Sequence, residues 1–359
     1  MSAEHPSDHP TPIRRGKGLR LSVTSSDADV PTPGAGDEPL RRGQGLRLSI
    51  HDAAAASSPS RLLRELIGAP QIIELSHGPL AYRAAGHGPP LILLHGWAAS
   101  SRYWLITLAD LSADFRVYAL DLPGFGNSPA LPEPGTVARQ AQAVLEFADA
   151  LGLTTFDING HSYGAAVAVT LAASQPQRVK RLVMTSLGAI GNEIERLLFA
   201  LARAPLDLTL QVGYPWLNLL APWVELWRPF ATALLCVPPL PQLMAARFVE
   251  NGLREKWMLQ EGIVDLTKMD LRAHLMAMAS IGDLQVFDAM RAAPQPTLLI
   301  GGARDQIMPP ESLRAAAQAM RQPRLAFIER CGHVPMIEQP EAYHAALRAF
   351  LLDGASEVL

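Results

Sequence analysis

Few residues in this chain have types and spacing that could do chemistry, and the first group surrounds a serine. Gly160-His161-Ser162-Tyr163-Gly164 follows an apolar run, Phe156-Asp-Ile158, and opens a small-residue run, Tyr163 to Ser174. G-x-S-x-G between a strand and a helix is a nucleophile elbow, whose sharp turn lifts the serine hydroxyl above the sheet. Glycines flank it because a Cβ would crowd the turn. The helix N-terminus favours the negative charge that develops in acyl transfer. A serine nucleophile needs a base, and the base needs an orienting acid. Downstream, Gly301-Gly-Ala-Arg-Asp305 follows the apolar run Thr297 to Ile300, and Cys331-Gly332-His333 follows Arg324 to Ile328. The order Ser, acid, His is the one expected on an open α/β sheet, whose active sites lie at the strand C-termini. Ser162 is therefore the candidate nucleophile, His333 the general base and acid, and Asp305 the orienter. His95-Gly96-Trp97 closes a further apolar run, Leu91 to Leu94. Its Trp97 amide and the Tyr163 amide are the candidate oxyanion donors. His95 itself reads as a buried structural histidine. His77, His87, His274 and His344 lack such a context and read as structural or solvated.

These groups require a scaffold, and the apolar pattern supplies one. Strands are predicted at Gln71 to Leu75, Leu80 to Ala84, Leu91 to Leu94, Phe115 to Leu120, Phe156 to Ile158, Leu182 to Met184, Thr297 to Ile300 and Arg324 to Ile328. Helices are predicted at Tyr103 to Leu111, Val137 to Leu151, Tyr163 to Ser174, Ser312 to Met320 and Glu341 to Leu352. Short apolar strands alternating with helices specify a mostly parallel α/β sheet flanked by helices. The expected layout is a core in two parts, 66–189 and 294–354, with a helical lid inserted at 190–293. The insertion carries four of the six tryptophans, Trp216, Trp223, Trp227 and Trp257. Proline tolerates only the first turn of a helix. Pro215-Trp216, Pro222-Trp223 and Pro229-Phe230 are accordingly read as starts of short helical pieces with aromatics on one side. Trp216, Trp223, Trp227 and Phe230 are either core of the inserted part or the lining of an apolar substrate pocket or lipid-facing entry.

Composition limits the alternatives. The chain has 359 residues, 31 Lys+Arg and 34 Asp+Glu, a formal net charge of -3. A dedicated nucleic-acid binder would carry a basic excess, so no nucleic acid is expected as partner. A hydrophobic share of 48% is enough for a large core. Two cysteines, Cys236 and Cys331, make neither a disulfide framework nor a four-cysteine zinc site, and no metal is expected. No apolar run reaches the roughly 20 residues of a membrane span, and no secretory signal is evident. A cytoplasmic location is expected, with recruitment to an assembly or membrane surface as an addition.

Residues 1–60 differ in character. They are rich in Pro, Gly, Ser, Asp and Arg, which predicts a disordered arm. Arg14-Arg15-Gly-Lys-Gly-Leu19-Arg-Leu21-Ser-Val recurs as Arg41-Arg42-Gly-Gln-Gly-Leu46-Arg-Leu48-Ser-Ile, identical at eight of ten positions. The repeat is either a neutral duplication or a duplicated recognition motif, two weak sites raising effective concentration at a partner. A protein scaffold or shell is the expected partner. Two leucines per copy bury too little area for stable membrane anchoring.

Together, His95-Gly-Trp97, Asp121-Leu-Pro-Gly-Phe-Gly-Asn-Ser128, Gly160-His-Ser-Tyr-Gly164, Gly301-Gly-Ala-Arg-Asp305 and Cys331-Gly-His333 resemble the α/β-hydrolase superfamily, in its lid-bearing serine hydrolase and esterase branch. The resemblance covers about residues 70 to 352. It implies hydrolysis of an ester or related acyl bond of an apolar small molecule through an acyl-enzyme, with no cofactor. The segment Asp121 to Ser128 is then a shaping turn. A carbon–carbon bond hydrolase, a cofactor-free perhydrolase or an acyltransferase would use the same residues. A non-catalytic ligand-binding homologue is the reading from a different class.

Overall fold

A computed structural model describes residues 70–189, 212–213, 216, 219–220, 222–250, 256–280 and 283–353. The duplicated motifs, with Arg14, Arg15, Leu19, Leu21, Arg41, Arg42, Leu46 and Leu48, lie outside the described residues.

The framework is an eight-stranded sheet. Its strands are β1 (Gln71–Leu75), β2 (Gly78–Ala85), β3 (Pro90–Leu94), β4 (Arg116–Leu120), β5 (Phe156–His161), β6 (Val179–Thr185), β7 (Thr297–Gly302) and β8 (Pro323–Ile328). Their spatial order is β1-β2-β4-β3-β5-β6-β7-β8. β1 pairs antiparallel with β2, and β2 antiparallel with β4. Every later pairing is parallel. Among the helices outside the β6–β7 connection are α1 (Leu105–Leu111), α2 (Val137–Ala150) and α3 (Tyr163–Ser174). The central strands are covered on both faces, which is why β5 and β7 are buried along their whole length. α3 packs with no polar face. Gly164 through Val169 are all buried, and a helix of small apolar residues suits such a central position.

Some predicted elements are longer or different. β5 continues three residues past Ile158 because Gly160 and His161 pair with Met184 and Thr185 of β6. The segment predicted as one helix from Tyr103 is a 3-10 turn, Ser101–Trp104, followed by α1. Between β6 and β7 the chain inserts α4 (residues 222–235), α5 (Leu240–Ala245), α6 (Lys256–Lys268), α7 (Leu271–Ala279) and α8 (Leu284–Ala292). α4 runs through Pro229, so this proline does not begin a new piece. One missing backbone donor is the local cost of keeping it inside the helix. α8 returns to the core and buries Val286, Phe287 and Met290. After β7 come α9 (Pro310–Ala319), then β8, then α10 (Pro335–Glu338) and α11 (Pro340–Leu352).

The insertion is tied to the core by buried charge. Arg102 of the 3-10 turn pairs with Asp265 and with Glu261 on α6. Ser100 Oγ donates to the second Asp265 oxygen at 2.8 Å. Burial pushes the Asp265 carboxyl up to about 6 against the pull of Arg102. Among the described residues no helix is long and apolar enough to cross a membrane.

Candidate active site

Ser162 occupies the turn between β5 and α3 with φ 51 and ψ -116, a left-handed conformation strained for a residue with a Cβ. The surroundings hold it there. Ser162 N–H donates to Thr185 O on β6 at 2.8 Å, and Ser162 O accepts Ala165 N–H at 2.9 Å. The flanking glycines leave no alternative. A Cβ on Gly160 would stand 2.2 Å from Gly164 O, and one on Gly164 would stand 2.4 Å from His95 O. The turn therefore lies against the end of β3, where His95 and Trp97 begin. The first amides of a helix have no intrahelical acceptor. Those of α3 begin with Tyr163, the residue following the serine.

Asp305 and His333 are brought together by the loops after β7 and β8. His333 Nδ1–H donates to Asp305 Oδ2 at 2.8 Å, and both residues are buried. Asp305 Oδ1 is independently held by Ile307 N–H at 2.8 Å and Met308 N–H at 2.9 Å. The carboxylate is thus fixed on one side by backbone and offers the other to the imidazole. That leaves Nε2 as the ring nitrogen available to a proton from a neighbouring hydroxyl.

His161 connects the serine turn to this pair. Its Nε2–H donates to His333 O at 2.9 Å, and the two rings lie 5.0 Å apart. Burial, reinforced by His333, pushes its imidazole down to about 3, so it stays neutral beside His333. Although His161 stands inside the motif that marks Ser162, its type alone gives no sign of this contact. Beneath the turn, Asn159, Thr185 and Tyr343 close a ring of hydrogen bonds of 2.8 to 3.0 Å, joining β5 and β6 to α11.

His95 is fully buried. Nδ1–H donates to Gly96 O at 2.8 Å and Nε2 accepts Leu122 N–H at 3.0 Å, which assigns the tautomer and a structural role. Trp97 follows it at the serine side of β3 and packs on His274 of α7, ring centroids 5.2 Å apart. His344 is buried with Nε2 3.0 Å from Thr107 Oγ1. Asp121 is buried and accepts Ser101 N–H at 2.7 Å and Asn127 N–H at 2.9 Å, which is the shaping expected of its turn.

The four aromatics singled out in the insertion are not core. Trp216, Trp223, Trp227 and Phe230 are 65%, 64%, 61% and 66% exposed. Of the four, Trp227 lines a cavity of about 380 Å³, together with Val224, Leu235, Leu266, Met269 and His274. A second cavity, of about 640 Å³, lies among Pro238, Pro241, Ala245, Val249, Leu259 and Ile263 and reaches Gln306, the residue after Asp305. Sequence reasoning did not single out the residues of this second cavity, because they are scattered over α5, α6 and three loops.

Comparison with known proteins identifies the family. The chain matches the alpha/beta hydrolase fold family over residues 89–340 and belongs to it. It is 29% identical over 278 residues to a pimeloyl-[acyl-carrier protein] methyl ester esterase of Nitrosospira multiformis, covering 76% of this chain and 97% of that one. It is 29% identical over 265 residues to the dihydrolipoyllysine-residue acetyltransferase component of the acetoin cleaving system of Pseudomonas putida. That match covers 74% of this chain but only 64% of the length of the relative. A thermophilic esterase from Thermogutta terrifontis shares the fold, with a TM-score of 0.61 and 22% identity over 80% of this chain and 99% of that one.

Proposed function

We propose that this member of the alpha/beta hydrolase fold family is a serine hydrolase cleaving an ester or related acyl bond of an apolar small molecule through an acyl-enzyme. The observation that carries the reading is Ser162, held at φ 51 at the N-terminus of α3, next in sequence to His161, which bonds the loop of a His333 whose Nδ1–H is committed to Asp305 at 2.8 Å. Ser162 Oγ attacks the acyl carbon as His333 Nε2 takes its proton. The Trp97 and Tyr163 amides receive the oxyanion, and His333 returns the proton to the leaving group. Water activated by His333 then releases the acid. The methyl ester esterase relative supports ester chemistry, and the apolar cavities of the insertion support an apolar substrate.

The insertion at 190–293 acts as the lid in this reading, with Trp227 the aromatic best placed to bear on substrate. The repeats at 14–23 and 41–50 recruit the enzyme to a protein scaffold and take no part in catalysis. A fluorophosphonate probe followed by peptide mapping tests the chemistry. Labelling should fall on Ser162 and vanish in Ser162→Ala, together with turnover of p-nitrophenyl esters. Wild-type turnover in Ser162→Ala overturns the reading. Removing residues 1–60 should leave kcat/KM on a small soluble ester unchanged, and a loss would place the arm in the catalytic body.

A further inference from the structure

The proposed reaction leaves a buried carboxylate beside its base without a role. Glu338 closes α10, is 4% exposed, and points back into the loop that carries His333. Its Oε1 accepts Gly332 N–H at 2.9 Å and Val334 N–H at 3.4 Å, the amides on either side of His333. Its Oε2 accepts Glu250 N–H at 2.8 Å, from the insertion. The same stretch of the insertion touches the base directly. His333 N–H donates to Phe248 O at 2.7 Å, and the Phe248 ring centroid lies 6.1 Å from that of the imidazole. The Glu250 side chain in turn pairs with Arg304, next to Asp305, and Arg304 N–H donates to Cys331 O at 3.0 Å.

We infer that Glu338 is a positioning residue that clamps the His333 loop to the insertion backbone at Phe248–Glu250, so that the base is in register only while that stretch is seated. The inference rests on His333 being the base of the proposed reaction. A carboxylate suits the task because it has two anionic acceptors and no donor, and can take amides from two backbone segments at once. The loop is shaped for the same contact. A Cβ on Gly332 would stand 2.6 Å from Phe248 O and 3.2 Å from Glu250 N, so only glycine lets the two backbones meet. Val249 and Glu250 also wall the cavity of about 640 Å³, so whatever fills that cavity bears on the stretch that seats the base.

Two variants reach the clamp from opposite sides. Glu338→Gln keeps the side-chain shape but has a single acceptor oxygen, so its NH₂ must face either the Gly332 and Val334 amides or the Glu250 amide. Gly332→Ala leaves Glu338 intact and drives a methyl group into the contact with Phe248 O. Both are compared with wild type and with Ser162→Ala on a short soluble p-nitrophenyl ester and on fluorophosphonate labelling, with folding checked by circular dichroism. The expected result is a loss on the order of 10²-fold in kcat and in labelling rate with KM little changed, the size that a misplacement of about 1 Å produces. The double variant should lose little more than the worse single one, because both break one contact. Should Glu338→Gln fail to fold, Gly332→Ala decides. A folded variant with wild-type kcat and labelling rate, or one that only melts earlier, overturns the clamp. Should Ser162→Ala be inert while these variants run at the wild-type rate, the clamp alone fails. Should Ser162→Ala remain active, the reaction itself has been misread.

Discussion

Asp305→Asn is the sharpest test of the acid. The two oxygens of Asp305 have different partners. Oδ1 faces the Ile307 and Met308 amides at 2.8 and 2.9 Å, while Oδ2 faces the His333 Nδ1–H at 2.8 Å. Asparagine has one oxygen to serve both sides. With that oxygen on the two backbone amides, its NH₂ points at His333 Nδ1 and selects the tautomer with the proton on Nε2, which cannot accept a proton from Ser162. Rotating the amide to restore the correct tautomer turns NH₂ onto the two part-buried backbone donors and takes away their acceptor. An unsatisfied donor costs about 1–3 kcal/mol when buried, and for these part-buried amides the low end applies, so the competent orientation is disfavoured by roughly 2 kcal/mol. That corresponds to a drop of about 30-fold in kcat/KM. Initial rates on a soluble p-nitrophenyl ester measure it, with the melting temperature as the folding control. Because Asn keeps the shape of the side chain, stability should change far less than activity. A folded Asp305→Asn enzyme with near-wild-type kcat/KM would refute the argument that this carboxylate selects the His333 tautomer.

Other expectations concern stability and the insertion. Burial pushes Asp157 up to about 6, so the folded state binds its proton more tightly than the unfolded one, and this group's contribution is most favourable at low pH and is lost as pH rises through about 6. Asp157→Asn should therefore raise stability above pH 7, by about 3 kcal/mol at most, and change little below pH 4, as read by denaturant unfolding at several pH values. Arg102→Ala leaves the Asp265 carboxylate buried with Ser100 as its remaining side-chain hydrogen-bond donor. It should cost about 3–5 kcal/mol, measured as a fall in the unfolding midpoint, and an unchanged midpoint would mean that this pair does not anchor the insertion. Trp227→Ala should shift chain-length preference across p-nitrophenyl esters more than it lowers the best rate. Trp216→Ala, which removes a side chain from neither described cavity, should leave that preference alone.

The candidate chemistry-bearing residues stand out in the sequence because local rules single them out. A serine between glycines at a strand-to-helix turn has few other uses, and the loops after two later apolar runs carry Asp305 and His333 in the expected order. The alternation of short apolar runs with helical runs likewise determined the sheet, since β-strands and helices bury their apolar faces at different periods. Ends were less legible. β5 runs to His161 because Met184 and Thr185 stand opposite on β6, a partner that no local pattern shows. Tertiary structure alone decided what surrounds His333. His161 has no sequence feature that marks it as the neutral ring beside His333, and Glu338 sits in an ordinary run, Val334 to Pro340. Both bond neighbours far along the chain, 172 and 88 residues away. The insertion shows the same limit from the other side. Its four aromatics were open to either core or pocket lining by spacing, yet Trp216, Trp223 and Phe230 are exposed while the described cavities open elsewhere, among Pro238, Pro241, Val249 and Ile263 and beside Trp227. Spacing along one helix says which side chains share a face. What that face meets depends on how helices distant in sequence pack together, and that is settled only in three dimensions.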